Sequence, residues 1–291
     1  MKTGRYGWFG RGLAILMLLG TAYGVGWLWS RPAGAAVGCR QEDLADVTDQ
    51  SFLPESRQTA ADADADGEAE PPKYVCLTFD DGPSKTTEQI LDTLAQEQVP
   101  ATFFVISADN NRDYLPLVQR ELQEGHQIAL HSASHDYKAI YASTDAYWAD
   151  IETLKEELSL YMDVSQIDCL RFPGGSTNTV SRKYGGKGLM QCLKEEAEEK
   201  AYHWIDWNVC ADDAIGGHPS ARTIYENVVE DVGDKDTCVV LMHDTAATKN
   251  TAKALPDIID WFRSHGFTFC TVDEMLMQKQ DVKQKEGAQN V

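Results

Sequence analysis

The chain is short of positive charge: across 291 residues, 26 Lys and Arg stand against 46 Asp and Glu, a net charge of −20. That deficit excludes a nucleic-acid partner, whose phosphates would be repelled. None of its seven cysteines forms a Cys-x-x-Cys pair, which argues against a zinc–thiolate centre. No internal repeat is evident, so nothing points to a solenoid or propeller. Long apolar runs are also scarce. One uncharged stretch, Gly12 to Ser30, stands out near the start. From 40 to 72, large apolar side chains almost disappear while ten acidic residues face two basic ones.

These two unusual segments set the organisation. Lys2, Arg5 and Arg11 precede the apolar stretch, and Arg31 and Pro32 close it. A run of about 19 residues is near the length needed to cross a bilayer as a helix, and longer than a usual signal-peptide core. The basic flank stays in the cytoplasm, so the chain beyond Arg31 is expected outside. Ala33-Gly34-Ala35 also has the small residues of a cleavage site; a retained anchor over 1–31 is the favoured reading and a cleaved signal the other. Cys39 after Gly38 is a faint lipid-attachment signal, interrupted by Arg31 and Pro32. The acidic segment 32–72, with its Ala-Asp repeat at 61–66, cannot bury enough surface to offset its ordering entropy and reads as a self-repelling tether. The expected location is the extracytoplasmic face of the membrane, or secretion, and the chain is expected to act as a monomer.

The hydrophobic content of 43% is enough for a real core. From Lys73, short apolar, β-branched runs alternate with segments of helical spacing. Strands are expected near 74–79, 101–107, 127–131, 169–172, 202–207, 237–243 and 267–272. Helices are expected near 85–96, 114–124, 144–161, 187–200, 220–232 and 252–265, with Gly125 and Gly266 as stop signals. Such alternation implies parallel β/α units. Seven strands within 73–280 suit a slightly incomplete, distorted (β/α) barrel, with an open doubly wound sheet as runner-up; 281–291 is a polar tail. Cys76, Cys169, Cys238 and Cys270 fall inside strand-like runs and are expected as buried thiols.

The chemistry-bearing residues cluster at the ends of these strands. Asp80 and Asp81 follow the first, and His131 and His135 the third. Arg171 lies at the fourth, Asp213 after the fifth, and His243 closes the sixth. In a β/α barrel the carboxyl-end loops build the active site, so residues far apart in sequence would converge. His131-Ser-Ala-Ser-His135 can present two imidazoles to one ion. Taken alone it is as readily two unrelated loop residues, and Asp80-Asp81-Gly82-Pro83 alone is a good turn sequence. Together they offer two nitrogens and a carboxylate, as a catalytic zinc with an open position requires.

Thr78-Phe-Asp-Asp-Gly-Pro83, His131-Ser-Ala-Ser-His135, Arg171-Phe-Pro-Gly-Gly175 and Leu241-Met-His243 resemble, in order and spacing, the motifs of the NodB-like polysaccharide deacetylases, carbohydrate esterase family four. The resemblance covers roughly 73–275. It implies a divalent metal, usually zinc, held by Asp81, His131 and His135, with Asp80 as general base and Arg171 orienting it. It implies His243 as the general acid, Gly174 as the position whose backbone N–H meets the oxyanion, and Leu241 as the wall for the acetyl methyl. The family's fourth motif typically reads Trp-Ser-Val-Asp-Ser-x-Asp-Trp. Here Trp207-Asn-Val-Cys210-Ala-Asp-Asp213-Ala214 replaces it, with Asp213 at the aspartate that tunes the acid histidine. Cys210 and Ala214 depart from the pattern, and Asp206 is the substitute if the register differs. The implied activity is removal of N-acetyl groups from N-acetylglucosamine in a polysaccharide, with peptidoglycan first. The alternatives are an O-acetyl glycan esterase and a non-catalytic glycan-binding wall protein.

Overall fold

The computed structural model describes residues 72–278. The apolar segment 12–30, the acidic tether and the tail beyond 278 lie outside the described residues. Eight parallel strands form one sheet. They are β1 (Lys73–Asp80), β2 (Thr102–Ile106), β3 (Gln127–Ser132), β4 (Cys169–Leu170), β5 (His203–Trp204), β6 (Val209–Cys210), β7 (Thr237–His243) and β8 (Phe267–Phe269). The order across the sheet is β5-β4-β3-β2-β1-β7-β6, with β8 joining β1. The sheet curls without a ladder between β5 and β6, so the expected incomplete barrel is what forms.

β1 sits at the centre because it is buried along almost its whole length: Tyr74 to Asp80 are all buried. A strand covered on both faces needs this continuous apolar run, unlike one that alternates toward water. Its full-length partner is β7, from Tyr74↔Thr237 to Asp80↔His243. The other edge of β1 is shared. β8 takes Lys73–Val75 and β2 takes Thr78–Asp80.

The helices cover the outer face of the sheet. They are α1 (Lys85–Glu97), α2 (Leu117–Gln123), α3 (Tyr137–Ile140), α4 (Thr144–Leu158), α5 (Val180–Gly185), α6 (Leu189–Glu199), α7 (Ala221–Val232) and α8 (Lys249–Ser264), and a further helical segment over 272–278 follows β8. α1 shows why the sequence folds this way locally. Ser84 caps it by accepting from Thr86 N–H, and Ser84 N–H donates back to Thr87 Oγ1. Ile90, Leu91 and Leu94 then fall on one buried stripe. The cap follows directly on Asp80-Asp81-Gly82-Pro83, so it also fixes that loop. Gly125 and Gly266 follow their helices at φ +86° and +79°, the left-handed geometry that ends a helix.

Cys169, Cys238 and Cys270 are buried thiols, as the sequence suggests. Cys76 is buried with them, its Sγ 3.5 Å from that of Cys270. Among the described residues, no helix is long and apolar enough to cross a membrane.

Candidate active site

The parallel register brings the strand ends together at one rim. Asp80 and His243 are ladder partners at the ends of β1 and β7, and Phe104 of β2 lies beside Asp80. His131 is the penultimate residue of β3, and Arg171 follows β4 directly.

Asp81, His131 and His135 meet with their ligand atoms all within 4.8 Å of one another. Asp81 Oδ1 lies 3.4 Å from His131 Nε2 and 3.2 Å from His135 Nε2. That oxygen is buried and has no hydrogen-bond partner. His131 Nδ1 sits 2.7 Å from Arg171 O. A proton on Nδ1 satisfies this carbonyl and leaves the Nε2 lone pair facing Asp81. Burial pushes the His131 pKa down, outweighing the pull of Asp80 and Asp81, so the ring is neutral at physiological pH. For Asp81, burial acts upward, but His135, His131 and His243 together hold the carboxyl below its ordinary range. Two imidazoles and a carboxylate, converging with an orphaned buried oxygen, fit a divalent cation.

Asp150 shapes this cradle, and the sequence gives no warning of it because it lies mid-helix in α4. Its Oδ2 accepts from Ser132 Oγ at 2.6 Å and Ala133 N–H at 2.7 Å, and its Oδ1 accepts from Ser134 N–H at 3.0 Å. Ser132 Oγ in turn accepts from His135 N–H at 2.8 Å. The loop is thus wound tightly enough to return His135, at φ +50°, toward His131. A similar constraint holds the first motif. A β-carbon on Gly82 would lie 1.9 Å from Asp244 Oδ2, so the Asp81 loop can approach β7 only as glycine. Asn111 Nδ2 clamps the same loop through Asp81 O and Pro83 O.

Arg171 is fully buried. Its Nη1 donates to Asp80 Oδ1 at 2.7 Å and Thr78 Oγ1 at 2.9 Å, its Nε to Ile205 O and its Nη2 to Asp206 O. The guanidinium packs on Phe104 at 4.0 Å and faces Trp207 at 5.6 Å. Donors and ring faces thus compensate the cost of burying this ion pair. Asp80 keeps its other oxygen, Oδ2, 3.9 Å from His131 Nε2.

His243 is held by Asp213. Asp213 Oδ1 lies 2.8 Å from His243 Nδ1, and Asp213 Oδ2 accepts from His243 N–H and Thr251 Oγ1 at 2.7 Å each. Burial opposes a charged imidazole, but Asp213, with smaller help from Asp81 and Asp80, overrides it and pushes the His243 pKa up to about 10. Asp206, the other acidic residue considered, instead accepts from Ser176 N–H and Oγ and clasps the Gly174–Gly175 turn. The choice follows from register. Cys210 pairs with Leu241, which sets Asp213 beside His243 and leaves Asp206 ahead of β6, against Ser176.

Leu241 is buried within β7. Gly174, at φ +78°, lies in the turn after β4; its N–H donates to none of the described residues, whereas Gly175 N–H is taken by Phe172 O. The nine singled-out residues thus fall on neighbouring elements at one rim. They bring a cation cradle, an oriented carboxylate and a protonated imidazole together, a set able to hydrolyse an acyl bond with a poor leaving group.

A polysaccharide deacetylase family model matches residues 67–189. A peptidoglycan-N-acetylglucosamine deacetylase of Bacillus cereus is 32% identical over 209 residues, covering 71% of this chain and 90% of that protein. The corresponding Listeria monocytogenes deacetylase is 30% identical over 250 residues, covering 85% of this chain. The chain spans about half of that longer relative, 47% of its length. Among solved structures, the catalytic domain of a Eubacterium rectale peptidoglycan N-acetylglucosamine deacetylase superposes with a TM-score of 0.65 at 36% identity, over 72% of this chain and 93% of that one. Motifs, barrel and relatives agree, and the chain belongs to the polysaccharide deacetylases of the NodB-like, carbohydrate esterase four, group.

Proposed function

We propose that the chain removes the acetyl group from N-acetylglucosamine residues of peptidoglycan, acting as a monomer outside the cell. The observation that carries this reading is the pairing of a base and an acid around one cradle: Asp80 fixed by Arg171, and His243 fixed by Asp213. In this reading the domain occupies 73–280, and the segments 1–31 and 32–72 anchor and tether it to the membrane within reach of the wall.

The amide bond explains why each part is needed. It is a weak electrophile, and its amine leaves only when protonated. A divalent metal held by Asp81, His131 and His135, zinc in our assignment, would polarise the acetyl carbonyl and acidify a water. Asp80 takes the proton from the attacking water through Oδ2, while Arg171 pins Oδ1 and keeps the carboxylate aimed. Gly174 N–H donates to the oxygen as negative charge develops on it. His243 delivers its proton to the departing nitrogen, and Leu241 lines the space for the methyl group. Asp213 supplies no proton; it sustains the charged form of His243.

This division of labour predicts a pH signature. The acid form of His243 is the active one, so activity falls as pH rises through its pKa of about 10. Asp213→Asn removes the main force raising that pKa. The basic limb of the kcat/KM profile is expected to move to lower pH, toward the ordinary histidine value of about 6.5. A basic limb that stays in place in the variant would show that Asp213 does not tune the acid.

The substrate assignment is tested by acetate release from N-acetylated peptidoglycan and from O-acetylated xylan, measured side by side with the full chain. Release from the amide substrate, and slower release from the ester, is the expected result. Turnover of the ester alone would overturn the proposal.

A further inference from the structure

Tyr137 stands two residues beyond His135, opens α3 and is half-buried at the rim. Its ring meets the His135 imidazole edge-on, with centroids 5.2 Å apart and planes at 80°. On its other side it packs against Tyr141, centroids 5.9 Å apart. Tyr141 in turn donates from its hydroxyl to Pro173 O at 2.7 Å, which ties α3 to the turn carrying Gly174. The Tyr137 ring is therefore held from two directions by packing alone.

Its hydroxyl takes no part in that packing. A β-carbon on Gly174 would lie 3.2 Å from Tyr137 Oη and 3.3 Å from Cε1, so the phenol end lies over this turn. Glycine at 174 thus leaves room for the Tyr137 hydroxyl as well as meeting the positive φ. Tyr137 Oη donates to none of the described residues, and neither does Gly174 N–H. Two unspent donors, one backbone and one phenolic, thus sit together beside the Asp81–His131–His135 cradle. A phenol hydroxyl carries one proton that it can offer to an acceptor. Such a pair of donors fits an oxygen that gains negative charge.

We propose that Tyr137 is a catalytic residue whose hydroxyl donates a hydrogen bond to the acetamide oxygen as it becomes an oxyanion, alongside Gly174 N–H. The assignment rests on the deacetylase reading above and adds a donor to it. Donors to that oxygen act on the transition state more than on the bound substrate, so the effect belongs in kcat.

The test is Tyr137→Phe in the full chain, assayed beside the wild type on an N-acetylated glycan. Phenylalanine keeps the ring against His135 and removes only the hydroxyl. Loss of one oxyanion donor is expected to lower kcat by about 10²-fold with KM nearly unchanged. Metal content and the visible absorption of the cobalt-substituted protein are expected to match wild type. Acetate, whose carboxylate can place an oxygen at the same position, is expected to bind the variant several-fold more weakly in calorimetry. A kcat within about twofold of wild type, or a change in KM alone, would overturn the assignment. A loss accompanied by a changed cobalt spectrum would overturn it too, because Tyr137 would then act through His135. A wild-type chain that binds metal yet releases no acetate sinks the deacetylase reading itself, and this donor with it.

Discussion

Asp80→Asn is expected to lower kcat by about 10²–10⁴-fold, the range for a lost general base, while bound metal stays at the wild-type level. The two neighbouring aspartates are chemically identical, and only their surroundings separate them. Asp81 turns Oδ1 to both histidine Nε2 atoms at 3.4 and 3.2 Å, whereas Asp80 spends Oδ1 on Arg171 and keeps Oδ2 at 3.9 Å from His131. Asparagine can still accept from Arg171 through its carbonyl oxygen, so the packing around the guanidinium survives. Its neutral side chain cannot take the water's proton. It also leaves the fully buried Arg171 charge without a counter-ion, and breaking such a pair costs about 3–5 kcal/mol of stability. Assays therefore belong well below the variant's Tm. The comparison that decides the matter is metal content in Asp80→Asn and Asp81→Asn. Equal metal loss in both would sink the division of roles.

His135→Ala is expected to weaken metal binding by more than about 10²-fold. Loss of a partner that merely orients a ligand costs about 10–100-fold in affinity, and loss of the ligand itself exceeds that. His135 is the more exposed of the two imidazoles, and the Asp150-bound loop that positions it remains when the ring is cut away. The fold is therefore expected to hold while the cradle falls from three ligands to two. Metal retained after dialysis, measured against wild type at equal protein concentration, checks this. Unchanged metal content would remove His135 from the ligand set.

Much of this site was legible before any coordinates, for a physical reason. Long strands such as β1 and β7 carry continuous apolar runs, and parallel strands place their ends at one rim. Once the alternation of strand and helix is read, the convergence of Asp80, His131, Arg171 and His243 follows. What escaped was local. β6 is only Val209–Cys210, too short for any periodicity to mark, so an eighth strand went unread and Asp206 stayed an alternative to Asp213. The pairing of Cys210 with Leu241 places Asp213, and not Asp206, beside His243, and pairing is not written in either segment alone. α3 and α5 are four and six residues long and sit in what composition describes as loop. The predicted helix at 114–124 starts three residues early because a short 3₁₀ turn, Arg112–Tyr114, precedes α2. Asp150, Asn111 and Asp244 act on the site from helices and turns whose sequences look like ordinary solvated or capping positions. Each becomes meaningful only when the loop it braces is seen against it.

The reading stands or falls on metal-dependent acetate release. The full chain, stripped with chelator and dialysed, is incubated with N-acetylated peptidoglycan, and acetate is measured before and after one equivalent of zinc is restored. The account predicts negligible release from the stripped protein and recovery on adding zinc. Equal release with and without metal would contradict it.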